Sequence, residues 1–228
     1  MDGAVAVILA GGSGERLGAH VPKAFVELAG SSLLSMAARA ADESPAIGQV
    51  LAVVPAGYED RARESLGSGL LTVVPGGATR QASVRAALEA LDSGATPADV
   101  VVCHDAARPF ASPDLFTAVM RGLGEADGVI PVIPLPDTVK RVRDGRVLTT
   151  ERRDELALAQ TPQAFRRRVL RSAHARAAAE DLEFTDDSAL VEWTRGTVHV
   201  ILGEQENFKI TTPADLLLAR AMAKARSG

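Results

Sequence analysis

Apolar positions along this chain follow two alternating rhythms. Short, nearly unbroken apolar runs occupy residues 4–10 (AVAVILA), 49–55 (QVLAVVP), 70–75, 99–104 (DVVVCH) and 128–135. Such runs predict strands buried on both faces. Between them apolar residues recur every three or four positions. In 32–43, Leu33, Leu34, Ala37, Ala40 and Ala41 share one face behind Ser31 or Ser32 as N-cap, which predicts a helix. Further helices are expected over 58–66, 80–91 and 113–125, the last opening at Ser112-Pro113-Asp114. Repeated strand–helix alternation predicts an α/β fold: a Rossmann-like, mostly parallel sheet with helices on both faces.

After residue 135 the pattern changes. Residues 138–142 and 146–150 flank Asp144-Gly145, a hairpin turn signal. The hairpin carries Lys140, Arg141, Arg143 and Arg146, so it reads as a polar, basic arm projecting from the sheet. Helices over 166–180 and 186–195, a strand over 197–202 and a last helix over 213–224 complete the chain. The pattern predicts one domain over 1–228, with 136–157 as the arm.

Composition narrows the class. The chain has 228 residues, 46% hydrophobic and 24% charged, which excludes intrinsic disorder. Aromatics are only 4%, so the core is expected from Ala, Val, Leu and Ile. One cysteine, Cys103, excludes an internal disulfide and a Cys-based zinc site. A net charge of -4 argues against a nucleic-acid partner. The apolar runs are too short to span a bilayer, and no signal-peptide pattern opens the chain. A soluble cytoplasmic protein without a membrane partner is expected.

Candidate chemistry gathers in loops. Residues 9–23 (LAGGSGERLGAHVPK) run from a strand into Gly11, Gly12, Gly14 and Gly18, with Arg16 and Lys23 as cations. Glycines let backbone N–H groups approach a phosphate. The dinucleotide fingerprint fails because Leu17 holds its third glycine position, and no Walker Gly-Lys-Ser/Thr follows. A turn with solvated charges is the alternative. Residues 75–84 (PGGATRQASV) put Gly76-Gly77 where a ligand meets the carboxyl end of a strand, or make a plain turn with Ser83 capping a helix. In residues 104–110 (HDAARPF), Asp105 ends a strand where a carboxylate can hold Mg²⁺ beside a triphosphate, with Arg108 near for phosphate. His104 reads as a buried, hydrogen-bonded imidazole. Lys209, in residues 207–213 (NFKITTP), lies in a strand-like piece, either facing a site or snorkelling at an edge. Arg153 and Gln160-Thr161-Pro162-Gln163 stand in 149–165, and Arg166 to Arg168 read as a solvated helix start.

Together these pieces resemble the 2-C-methyl-D-erythritol 4-phosphate cytidylyltransferase family. The loop with Arg16 and Pro22-Lys23 is shared with nucleotidyltransferases at large. More specific are His104-Asp105-Ala106-Ala107-Arg108-Pro109, Asp137-Thr138-Val139-Lys140, Gln160-Thr161-Pro162-Gln163, Thr185-Asp186-Asp187-Ser188 and Asn207-Phe208-Lys209-Ile210-Thr211, in the family's order. The resemblance implies a nucleotidyltransferase fold and an enzyme joining CTP to a sugar-alcohol phosphate, with release of pyrophosphate. It implies Arg16, Lys23, Arg153 and Lys209 as catalytic residues. Ala10, Gly11, Gly12, Gly14, Gly77, Arg80, Ser83, Asp105, Ala106 and Arg108 would meet the nucleotide. Thr138, Thr161 and Thr185 would meet the acceptor, and Asp105 would bind Mg²⁺ or another divalent cation. A homodimer through the arm is implied too, with Thr138 and Arg153 serving the partner's site.

Two positions depart from the family pattern: Leu9-Ala10-Gly11-Gly12 replaces Pro-Ala-Ala-Gly, and Ala78 replaces an acidic residue. Ribitol-5-phosphate cytidylyltransferase shares the loop and the His-Asp-Ala-x-Arg-Pro run, whereas Thr138-Val139-Lys140 favours the methylerythritol family. A non-catalytic nucleotide-binding module of the same fold is the rival from another class. Arg16, Lys23, Asp105 and Lys209, all intact, argue against it.

Overall fold

A computed structural model describes residues 3–12, 14, 17, 21–67, 71–94 and 97–227. The chain opens with β1 (Ala4–Leu9), then a small hairpin of β2 (Glu27–Leu28) and β3 (Ser31–Ser32) that turns at Ala29 and Gly30, both at positive φ. Next come α1 (Leu33–Asp42), β4 (Ile47–Val54), α2 (Glu59–Leu66), β5 (Leu71–Pro75), α3 (Arg80–Ser93), β6 (Val100–Asp105), α4 (Pro113–Leu123) and β7 (Gly128–Pro134). The second half holds β8 (Lys140–Arg143), β9 (Arg146–Thr150), β10 (Ala157–Ala159), β11 (Gln163–Arg166), α5 (Arg167–Ala179), α6 (Asp187–Trp193), β12 (Val198–Leu202) and α7 (Pro213–Ser227).

The central sheet runs β7-β11-β6-β1-β4-β5, with β10 and β12 also paired to β7. Pairs β6/β1, β1/β4, β4/β5 and β12/β7 are parallel. Every residue of β1 is buried. Its side chains alternate between two cores: Ala4, Ala6 and Ile8 pack with α1 and α4, while Val5, Val7 and Leu9 pack with α3, α5 and α6. The sheet therefore has helices on both faces, as the unbroken apolar runs require. A third cluster, Leu28, Leu33, Phe110 and Ile210 with Ala219 and Ala223 of α7, fastens the last helix beside the loops.

The structure adds two strands that the sequence left unassigned and corrects two expectations. Residues 157–166 hold two antiparallel strands, β10 and β11; β11 is wedged between β6 and β7. With three and four residues, neither strand has room for a readable period. The segment around Lys209 is irregular backbone rather than a strand, and the Ile210 N–H donates to the Ala107 carbonyl at 2.9 Å. The N-cap of α3 is Thr79, whose hydroxyl accepts from the Ala82 N–H, while Ser83 Oγ donates to the Thr79 carbonyl.

The arm is present: β8 and β9 pair only with each other and are exposed throughout. It is less purely polar than expected, because Val142, Val147 and Leu148 also face solvent. Among the described residues no helix is long and apolar enough to cross a membrane.

Candidate active site

The parallel strands β1, β5 and β6 end on one edge of the sheet, and their loops enclose a single cleft. Leu9, Ala10, Gly11, Gly12 and Lys23 line it from the end of β1 and the segment after it; Gly77 and Thr79 line it from the loop after β5, and Arg80 and Ser83 from the start of α3. Asp105 and Ala106 contribute from the end of β6, and Lys209 closes the rim. A crevice outside the carboxyl ends of strands is where open α/β sheets bind ligands.

The glycines differ in what they do. A Cβ on Gly77 would sit 2.4 Å from the Ala82 Cβ, so the turn into α3 excludes any side chain there. Gly14, at φ +81, closes the loop against Val21 and Lys23. A Cβ on Gly11 or Gly12 would meet protein atoms only at 3.7 and 3.9 Å. Packing does not demand glycine at those two positions. Both line the cleft, so bare backbone faces its open space.

Asp105 is the electrostatic centre. Its Oδ2 lies 2.6 Å from Lys209 Nζ and its Oδ1 3.3 Å from Arg80 Nε. Burial pushes its carboxyl upward, but Arg80 and then Lys209 outweigh that and hold it well below the usual carboxylate range. The Asp105 side chain therefore stays ionised at neutral pH.

A relay beneath it fixes its backbone. His104 Nε2 faces the Arg108 carbonyl at 3.1 Å, Nδ1 faces Thr161 Oγ1 at 3.0 Å, and Thr161 Oγ1 lies 3.0 Å from the Asp105 nitrogen. A carbonyl can only accept, so Nε2 carries the proton. Nδ1 then accepts from the Thr161 hydroxyl, whose oxygen accepts the Asp105 N–H. Burial lowers His104 to about 4, consistent with a neutral ring. The expected buried imidazole is what the structure contains.

The lysine loop is held by a second network. Asn207 Nδ2 donates to the Thr161 carbonyl at 2.8 Å and to Gln160 Oε1, and Gln160 Nε2 donates to the Glu204 carbonyl at 2.8 Å. Arg108 donates through Nη1 to the Asn207 carbonyl at 2.8 Å and through Nη2 to the Ala159 carbonyl at 3.2 Å. The guanidinium expected near a phosphate is thus turned to two backbone carbonyls, and it does not line the cleft.

Other expected site residues also lie apart. Thr161 is buried under the cleft with its hydroxyl committed to the relay. Thr138, Arg153 and Thr185 are exposed and line no part of it, and Arg153 Nη1 donates to the Pro136 carbonyl at 2.9 Å at the foot of the arm. Arg16 and Gly18 fall outside the described residues. Sequence reasoning missed Thr79, whose place directly before a helix is a recognisable cap signal. Asp187 stood only within the family-specific run 185–188 and was given no role; it meets Arg80 across 107 positions of chain, and no local signal announces such a contact.

The sequence profile of 2-C-methyl-D-erythritol 4-phosphate cytidylyltransferase matches residues 4–225. The chain belongs to that family. It is 39% identical over 226 residues to the family enzyme of Geobacter metallireducens, covering 97% of both chains. It is 45% identical to that of Frankia casuarinae over 95% of this chain and 80% of the relative. A solved structure from Anaerococcus prevotii, described as 4-diphosphocytidyl-2C-methyl-D-erythritol synthase, superposes with a TM-score of 0.86 at 32% identity, covering 98% of this chain and 96% of that one. Membership accounts for the sheet order, the hairpin arm and the family-specific runs at 104–109, 160–163 and 207–211 together.

Proposed function

We propose that this chain transfers the cytidylyl group of CTP to 2-C-methyl-D-erythritol 4-phosphate. The products would be 4-diphosphocytidyl-2-C-methyl-D-erythritol, an isoprenoid precursor, and pyrophosphate. The observation that carries the reading is the cleft itself: Arg80 and Lys209 meet one ionised Asp105 at the end of β6, and Lys23 lines the same cleft with two bare glycines just beyond β1.

A phosphate monoester is largely ionised at neutral pH and attacks the α-phosphorus without a general base. One P–O bond forms to the α-phosphorus as the bond to the β-phosphate oxygen breaks, and pyrophosphate leaves with that electron pair. The barrier lies in bringing anions together in line. Gly11 and Gly12 present backbone to the triphosphate, Lys23 offsets charge at the α-phosphate, and Lys209 meets the acceptor phosphate. The residue inventory suits this chemistry, since no Ser-His-Asp or Cys-His set is needed.

A divalent cation, Mg²⁺ by preference, fits the donor set in one way. No group of three His, Cys, Asp or Glu able to hold a metal exists among the described residues. Asp105 offers one buried, ionised carboxylate, the share a protein gives when triphosphate oxygens and water supply the rest. When bound there, such an ion would neutralise phosphate charge. Lys209 Nζ, now on Oδ2, would move off it.

The arm supports a homodimer. A lone two-stranded hairpin is marginal in water, and this one exposes Val142, Val147 and Leu148. In a twofold dimer the arm would bring Thr138 and Arg153 to the partner's cleft. Cys103, buried and free, suits a reducing compartment such as the cytoplasm.

The test is pyrophosphate release from CTP and Mg²⁺. Turnover should require 2-C-methyl-D-erythritol 4-phosphate. Equal turnover with ribitol 5-phosphate, or preference for another nucleoside triphosphate, would overturn the assignment, and absence of turnover would leave a binding module.

A further inference from the structure

The Thr185-Asp186-Asp187-Ser188 run and His174 have no part in the chemistry above, yet their geometry is built. Asp186 caps α6, accepting the Ala189 N–H at 2.9 Å. That frees Asp187, one residue on, to turn inward, where its side chain is only 2% exposed. Asp187 Oδ2 accepts from Arg80 Nη1 at 2.7 Å, and Oδ1 lies 3.2 Å from His174 Nε2. Arg80 lines the cleft and touches Asp105 only through the longer 3.3 Å contact. Its Nη2 is buried without a hydrogen-bond partner.

We infer that Asp187, backed by His174, is a positioning residue for the nucleotide site: it holds the Arg80 guanidinium against the wall of the cleft. Deepening the activity proposed above, the inference rests on that reading. An arginine on a flexible stem between two carboxylates takes the better-satisfied one. Asp187, fully enclosed and supported by a second partner, wins Nη1. Without its charge, Arg80 would swing onto Asp105 as a bidentate pair. That would occupy the carboxylate required by the nucleotide and its cation, and would withdraw a positive group from the triphosphate. The Cys103 thiol, two residues before Asp105 on the same face of β6, is held protonated by burial and by the nearby Asp187 carboxylate, to which it donates a weak hydrogen bond. The buried carboxylate is thus costly in isolation and is retained with a cation that faces the ligand.

The test is a double-mutant cycle on the full chain, read as kcat and KM for CTP and as CTP affinity without acceptor. Asp187→Asn keeps the shape and removes the charge. It should raise KM and Kd for CTP about tenfold, the weight of one charge-assisted contact, with kcat changed less than about threefold. In an Arg80→Ala background the same substitution should add nothing, because its target is gone. His174→Leu removes the second partner and creates no unpaired charge; it should raise KM about threefold, again only when Arg80 is present. If Asp187→Asn fails to fold, His174→Leu carries the same comparison. Losses that multiply in the Arg80→Ala background, or an unshifted KM for CTP in both variants, would overturn the inference. Wild-type protein that does not turn over CTP with the acceptor would strike the proposed activity instead.

Discussion

The cleft rim and the hairpin arm use charge in opposite ways. At the rim, carboxylates are buried and matched within the chain: Asp187 and Asp105 have side chains 2% and 11% exposed and face Arg80 and Lys209. On the arm, Arg141 and Arg152 pair with acids while remaining 68% and 71% exposed. Apolar groups follow the same division. Under the rim β1 is buried throughout and β6 nearly so, whereas Val142 and Val147 on the arm are 64% and 61% exposed. The rim is internally matched, its charges satisfied within the chain. The arm leaves both its charges and its apolar side chains in solvent, which is the ground for the proposed dimer.

The sharpest way to break this comparison is to remove a rim charge. Lys23→Ala should lower kcat by at least ~100-fold, the loss expected on removing one charge-stabilising donor. The melting temperature should hold, since Lys23 is only half-buried and opens a single 3-10 turn over 23–25. A tenfold rise in KM at constant kcat would show instead that Lys23 binds ground and transition states equally.

Next in size is the acid response of the relay under the rim. His104 is lowered from 6.5 to about 4 by burial, so its neutral form belongs to the folded state. As pH falls below 6.5 the unfolded chain binds a proton that the folded chain refuses, and stability is lost until about 4. Between pH 6.5 and 5 that loss amounts to about 1.5 kcal/mol, roughly tenfold in the unfolding equilibrium. Asp105 and Asp187 are shifted below the usual carboxylate range, so they stabilise above about pH 4 and lose that contribution only at lower pH. Urea midpoints across this range should fall for wild type and stay flatter for His104→Gln. Equal slopes would mean that His104 is protonated in the fold.

How far the sequence showed these two regions depends on the range of the interactions. The strands, main helices and glycine loops were legible because their signals lie within a few residues. Asp105 and Lys209 were legible as candidates, but their 2.6 Å meeting depends on the buried Gln160–Asn207 lock, which joins segments 47 positions apart. Arg108 looked like a phosphate ligand because a loop arginine carries no mark of what it will face; the carbonyls of Asn207, in irregular backbone, and of Ala159, at the end of β10, claimed it. The arm was found from Asp144-Gly145 and its basic residues, while its apolar side chains escaped notice because three such residues make no period.

If the arm crosses to a partner, activity can be split between two defective chains. Lys23→Ala and Arg153→Ala homodimers should each be nearly inactive. In a mixed dimer the Arg153→Ala chain keeps its own Lys23 and receives Arg153 from the other subunit. One of two sites is restored, and random exchange makes about half the dimers mixed, so roughly a quarter of wild-type activity should return. Verified mixed dimers that recover nothing would show that Arg153 works in its own chain, where it now holds the Pro136 carbonyl.

The smallest expected effect tests the arm's own ion pairs. Arg141 Nε lies 2.7 Å from Glu151 Oε1, as short a contact as Arg80 makes with Asp187. Distance alone would rank the two pairs together. The environment separates them: around an exposed pair, water and salt screen the attraction, and ordering two long side chains offsets most of what remains. Glu151→Gln should therefore leave the melting temperature and turnover within error, while Asp187→Asn shifts KM for CTP. The dissociation midpoint of the dimer adds a further reading. If Glu151→Gln leaves it unchanged, this flank of the hairpin stays wet in the assembly, and the contact is made by Val142, Val147 and Leu148. If the midpoint moves, the pair is desolvated by the partner, and the arm's charges become part of the interface on the same terms as those of the rim.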